Sequence, residues 1–223
     1  MTIQEAIVAR HSVRQYHNKP LLPAHLEQLQ HAIAEANADG ELHLQLVTDE
    51  PQAFTHGLAK YGKFSGVSNY IVLACRKGND MLLGYRGEHI VLLAQTLGLN
   101  TCWVGGTYQR QPDRYTILDG EVMLGVIAIG YGATPGVQHP LKAIEGFYKA
   151  QGTVPEWFRQ GVEAAALAPT AMNMQKFYFE LLPDNRVAAR SRFALVSTYL
   201  KVDLGIVKYH FEVGAGTQNF SWA

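Results

Sequence analysis

Two stretches of this chain follow one plan, and that repetition limits the folds open to it. Pro23 opens a run in which Leu26, Leu29, Ile33 and Ala36 recur at spacings of three and four. Gly40 stops it, and the alternating ELHLQLV follows. Pro155 opens a second such run, EWFRQGVEAAALAP, and KFYFELL follows that. Apolar residues at spacings of three and four mark one face of a helix, and alternation marks a strand. Aligning Pro23 with Pro155 gives an offset of 132, and aligning Asp49 with Asp184 beyond the strands gives 135. The second copy therefore carries three more residues between helix and strand. A further pairing sets HIVLLAQTLG on GIVKYHFEVG, with Ile90 and Val91 on Ile206 and Val207, and Gly98 on Gly214. A duplicated unit explains the pattern, and so does the general likeness of any two helix–strand units. The expected organisation is one domain over 1–223, with pseudo-repeat halves of about 1–150 and 151–223.

The rest of the chain supplies further elements. Gln4–Arg10 reads as a short helix. NYIVLACR is a buried strand or the end of a core helix. GEHIVLLAQTLGLN is a helix closed by Gly98. TCWVGG and EVMLGVIAIGYG are strands, and ATPGVQHPLK is a loop. Helices alternating with strands place the chain in a mixed α/β or α+β class, with helices packed on a central sheet.

Charge and composition exclude some partners. The 19 basic residues balance 19 acidic ones, so no net charge draws the chain to nucleic acid or an anionic membrane. No stretch approaches the roughly 20 apolar residues of a membrane span. MTIQEAIVARHSVRQY lacks the layout of a signal peptide. Two cysteines, Cys75 and Cys102, are too few for a disulfide framework, so a reduced, cytoplasmic setting is expected.

Three stretches hold residues suited to binding. RHSVRQY places Arg10, His11, Ser12 and Arg14 within five positions, and guanidiniums with a hydroxyl suit a phosphate or an anionic ring edge. A solvated basic loop would look the same. CWVGG ends a strand on Gly105 and Gly106, where backbone can approach a ligand or simply turn. ALAPTAMNMQKFYFELL sets Pro169, Thr170, Asn173 and Gln175 between an apolar helix and an apolar strand, longer than a plain connection needs. GYGATPG departs from the dinucleotide fingerprint by one residue and runs into VQHP instead of a helix. No H-E-x-x-H, Cys/His zinc spacing or G-x-S-x-G is present, so no metal and no nucleophile elbow is expected. His210 and Glu212, near a helical face, read as structural, and Trp103 and Cys75 as core.

Together the pieces resemble the FMN-dependent nitroreductase family. The resemblance rests on RHSVRQY, GEHIVLLAQTLGLNTCWVGG, VIAIGYGATPGVQHPLK and APTAMNMQKFYF, which span nearly the whole chain. The family pattern runs R-x-S-x-R/K, A-P-S-x-x-N-x-Q-P-W-x-F, a helix into G-L-G-x-C-W, then I-G-Y. Here the Asn/Gln loop comes after the glycine strand instead of after the first long helix. Thr170 replaces the usual serine, and Lys176 and Phe177 replace Pro-Trp. The order is similar to a branch in which two half-units are fused in one chain.

The resemblance implies a mostly antiparallel central sheet flanked by helices, and noncovalent FMN that passes a hydride from NAD(P)H to a nitroaromatic or quinone. Arg10, Ser12 and Arg14, with His11 in the same arm, would hold the phosphate, ribityl chain and pyrimidine edge. Val104, Gly105 and Gly106 would lie by the reactive flavin nitrogen. Lys142 would be a late phosphate contact, and Pro169, Thr170, Asn173 and Gln175 would close over the ring. No side chain is assigned as a catalytic acid. One composite site per chain is expected, in a monomer or a homodimer. A flavin-binding or scavenging protein with little turnover is the alternative, and a protein that binds no flavin a third reading.

Overall fold

The first helix starts where its capping chemistry puts it. Thr2 and Glu5 form a reciprocal capping box ahead of α1 (Ile3–Ala9). A computed structural model describes residues 1–194 and 198–223 of the chain. Pro23 is the first residue of α2 (Pro23–Ala36), a position where its missing N–H costs nothing. The chain continues through β1 (Leu42–Val47), β2 (Asn69–Arg76), α3 (Asp80–Thr96), β3 (Asn100–Val104) and β4 (Glu121–Gly130). β5 (Tyr148–Lys149) ends the stretch expected as the first half, and α4 (Glu156–Ala166), β6 (Phe177–Leu182), β7 (Arg186–Ser191), α5 (Leu200–Ala215) and β8 (Ser221–Trp222) follow it.

The fold is mixed α/β, as expected. Its strands divide into two four-stranded sheets and are not gathered in one central sheet. The first is antiparallel throughout, in the order β1-β2-β4-β3. The second runs β5-β6-β7-β8, with only β6 and β7 antiparallel. The first sheet uses only strands of the first half, while β5, just before residue 150, crosses to pair with β6 of the second, and helices join the halves. NYIVLACR proves to be a strand, and its unbroken apolar character has a cause. Ile71, Leu73 and Cys75 enter the main core, while Val72 and Ala74 enter a second core on the opposite face. A strand buried on both faces loses its alternation. β7 left no sign in the sequence. Its hairpin turn holds Asp184 and Asn185 at φ of 59° and 54°, a left-handed conformation that Asp and Asn tolerate best.

The halves meet along α3 and α5, which approach until backbone touches backbone. A Cβ on Gly84 would lie 2.1 Å from the Val202 carbonyl oxygen, and one on Gly205 would lie 1.9 Å from that of Met81. These contacts are reciprocal: exchanging each residue for the one 121 positions away converts one into the other. The same exchange relates Glu88 beside His210 to Tyr209 beside His89. The helix contacts therefore follow a register different from the pairing of Ile90 with Ile206 suggested by sequence. The main core runs through this junction, from Leu29 and Ile71 in the first half to Phe179 and Phe211 in the second. No helix among the described residues is long and apolar enough to cross a membrane.

Candidate functional site

The spacing of Arg10, Ser12 and Arg14 acquires a geometric meaning past the end of α1. The chain becomes extended, and the Val13 N–H donates to the Thr101 carbonyl at 3.0 Å beside β3. Alternation then buries Val13 and leaves Ser12 and Arg14 open on the other side. Tyr16, buried below, donates its hydroxyl to the Val13 carbonyl at 2.7 Å and fixes the arm. Arg14 makes no ion pair among the described residues.

Across from this arm, β3 ends at Val104 and releases Gly105 and Gly106. Tyr199 donates its hydroxyl to the Gly105 carbonyl at 2.9 Å. Any Cβ at Gly105 would sit 2.6 Å from the Tyr199 ring, so this close approach requires glycine. Nothing lies within 4 Å of a Cβ built on Gly106, which leaves its backbone open.

The second half contributes the segment after α4. Met172, Asn173 and Gln175 all sit at φ of 51°, an uncommon conformation for residues with a Cβ. Their neighbours hold them there. The Thr170 hydroxyl accepts the Gln175 N–H at 3.0 Å, and the Asp203 carboxylate accepts the Ala171 N–H at 3.0 Å. Asp203 lies in the first turn of α5 and is buried, and its other oxygen has no partner. Burial pushes its carboxyl up to about 7, the Ala171 N–H acting in the opposite direction.

These walls enclose one cavity of about 880 Å³, in the size range of cofactor sites. Arg10, His11, Ser12 and Arg14 line it from the first strand arm. Val104, Gly105 and Gly106 line it from β3, and Pro169, Thr170 and Asn173 from the second half. Leu73, Leu83, Leu124, Trp103 and Ile206 make much of the wall apolar. Two expected residues are not on the wall. The Lys142 ammonium donates to the Met174 carbonyl at 2.6 Å. The Gln175 amide donates to the Pro140 carbonyl and to Asn173 Oδ1, both at 2.7 Å. Both side chains bind one loop to another. Tyr199, Asp203, His139 and Val137 line the cavity without having been expected. Val137 and His139, in VQHPLK directly after the GYGATPG loop, stood near a stretch already singled out.

Arg10 forms the deepest part of the wall. It is 3% exposed, its Nη2 donates to the Leu167 carbonyl at 3.4 Å, and its Nε has no hydrogen-bond partner. Burial lowers its pKa from the ordinary value, with Glu88 and then Cys102 opposing. Behind it, Glu88 accepts the Trp103 indole N–H at 2.8 Å and faces His210 Nε2 at 2.8 Å. His210 lies behind the wall and does not line the cavity, while Trp103 belongs to the cavity wall as well as to the packing around it.

The fold is mixed α/β, with two sheets and a sizeable cavity lined by residues from both ends of the chain. The family model described as "Putative TM nitroreductase" matches residues 2–215, and the chain belongs to this nitroreductase family. A solved structure described as a putative nitroreductase from Thermotoga maritima MSB8 aligns with 96% of this chain and 83% of its own, at 22% identity and a TM-score of 0.69. A nitroreductase-like family protein from Bacillus cereus covers 66% of this chain and 94% of its own, at 18% identity and a TM-score of 0.51. A structure described as a putative NADH dehydrogenase/NAD(P)H nitroreductase from Parabacteroides distasonis covers 64% of this chain and 94% of its own, at 20% identity and a TM-score of 0.50. At these identities the structures establish likeness of fold. No curated protein matches the chain.

Proposed function

We propose that the chain is an FMN-dependent oxidoreductase that transfers hydride from NAD(P)H, through FMN, to an oxidised acceptor such as a nitroaromatic or a quinone. One observation carries this reading: a cavity shared between the halves sets the Arg10 and Arg14 guanidiniums beside a largely apolar slot ending in open glycine backbone. Arg10, and Arg14 with no ion pair among the described residues, fit a phosphate and an electron-rich ring edge. The apolar side chains fit a flat ring and keep water from it. When bound, FMN supplies hydride acceptance and donation. Arg10, His11 and Ser12 would hold the phosphate and ribityl end, and Arg14 the pyrimidine edge. Gly105 and Gly106 would offer backbone to the ring, and Pro169, Thr170 and Asn173 would close over it. A positive charge beside the pyrimidine would stabilise an anionic reduced ring.

The reciprocal contacts of α3 and α5 support a duplicated origin for the two halves. On this reading each chain carries one site, built from the arm of one half and the loop of the other. Incubating the purified protein with FMN and desalting should leave a yellow protein with one flavin per chain. A colourless protein rejects the cofactor, and two flavins per chain reject the composite site. Sedimentation then separates a monomer from a dimer.

The inward turn of Gln175 and Lys142 favours one other reading, a flavin-holding protein with little turnover. NAD(P)H oxidation with a quinone or nitroarene distinguishes the two. Flavin bound without turnover would select the holding protein.

A further inference from the structure

We infer that His210, a residue of the second half, sets the anion affinity of Arg10 by taking up the charge of Glu88. The inference rests on the reading that Arg10 meets the FMN phosphate. Three distances carry it. His210 Nδ1 lies 3.0 Å from the Ala164 carbonyl oxygen. That oxygen can only accept, so Nδ1 carries a hydrogen. His210 Nε2 lies 2.8 Å from Glu88 Oε1, and Arg10 Nε lies 3.9 Å from the same oxygen. One hydrogen must lie between Nε2 and Oε1. Placed on nitrogen, it makes an imidazolium facing a carboxylate. Placed on oxygen, it makes a neutral imidazole facing a carboxylic acid. Both arrangements are electrically neutral.

The Glu88–His210 pair taken as a whole therefore carries no net charge against Arg10. Its second oxygen is taken by the Trp103 indole at 2.8 Å, and Glu88 and His210 are both fully buried. Arg10 is left in the cavity wall as a buried cation with an unused N–H, while the acid behind it belongs to His210. Arg10, Glu88 and His210 together keep one positive charge; a buried net charge is costly, and an arriving phosphate relieves that cost. His210 is a positioning residue here. It touches neither the cavity nor its occupant, and acts through Glu88. In this way the second half controls a binding group of the first.

The test measures the affinity of FMN relative to riboflavin, which lacks the phosphate. Both are titrated by fluorescence into the wild type, Glu88→Gln, His210→Asn and the double variant. His210→Asn leaves the Glu88 carboxylate facing Arg10, and the FMN preference should fall about tenfold to a hundredfold. Glu88→Gln removes the acid, lets neutral His210 accept from the new amide, and should keep the preference. The double variant should regain it. Unchanged riboflavin affinity in each variant shows that the chamber is intact.

A preference unchanged in His210→Asn overturns the inference and leaves the cofactor reading standing. So does a Glu88→Gln variant that loses the preference, and this result decides even where His210→Asn fails to fold. A wild type that takes FMN no tighter than riboflavin removes the phosphate from Arg10, and the inference falls with it.

Discussion

The link from α2 to β1 and the link from α4 to β6 occupy the same place in their halves and are held in opposite ways. Residues 37–41 close on themselves. The Asn37 side chain accepts the Leu44 N–H at 2.8 Å and donates to the Leu44 carbonyl at 2.9 Å. Gly40 turns the chain at φ of 74° with open space around it. Residues 167–176 are longer and reach outward. Their N–H and C=O groups are met by Asp203, Lys142 and Thr170. A link closed by its own side chain depends on little else. A link held by groups from α5 and from the loop at 139–142 can be posed over a cavity, and it depends on those elements staying in place.

The largest expected effect comes from separating the elements that hold the second link. Gly205→Val would drive α5 away from the Met81 carbonyl, with an expected loss of about 5 kcal/mol, at the severe end for one substitution. Thermal unfolding measures it, and a loss below about 1 kcal/mol would deny the backbone contact.

The second effect concerns the acid that grips Ala171. The Asp203 carboxyl is raised from 3.8 to about 7, so the unfolded chain ionises first as pH rises. Between these values the native state binds the extra proton, and stability falls with pH. The penalty is complete above about 7, at up to about 4 kcal/mol. Asp203→Asn keeps an acceptor for Ala171 and removes the ionisation. The variant should therefore outlast the wild type in urea at pH 8, with the gap closing toward pH 4. A gap independent of pH would mean that the carboxyl titrates normally.

A third effect separates binding from folding. Arg14→Ala should weaken FMN binding by about 1.5–3 kcal/mol, the loss of a charge-assisted hydrogen bond. Lysine should restore part of it. Equal FMN affinity in wild type and Arg14→Ala would remove Arg14 from the site.

The smallest effect sharpens the contrast from the other side. Asn37→Ala removes two hydrogen bonds to Leu44 and should cost about 1–2 kcal/mol of stability. FMN affinity should not change, since the first link does not line the cavity. An affinity loss matching the stability loss would show that the two links are coupled.

Much of the arm was legible in the sequence, because R-x-S-x-R needs only an extended chain to place its polar members on one side. The helices opened by Pro23 and near Pro155 were legible for a similar local reason. Gln175 and Lys142 were misplaced because residue type shows that an amide or ammonium is present, not which carbonyl it will meet. Tyr199 and Asp203 left no signal. Their place at the cavity depends on α5 lying against α3, a contact between residues more than a hundred positions apart. The alignment of Ile90 with Ile206 is offset by five positions from the reciprocal contacts of α3 and α5, since apolar helices resemble one another at many offsets.

By itself the sequence determined the main helices, most of the longer strands and the cationic arm, all written in short-range periodicity and spacing. Only the tertiary structure decided that the strands split into two sheets and which polar side chains face the cavity. It alone set the charge behind Arg10, which is fixed by His210, Glu88 and Trp103 meeting from three separate elements. The physical reason is that hydrogen-bond partners and burial are properties of packed surfaces, and the surfaces that meet here are far apart along the chain.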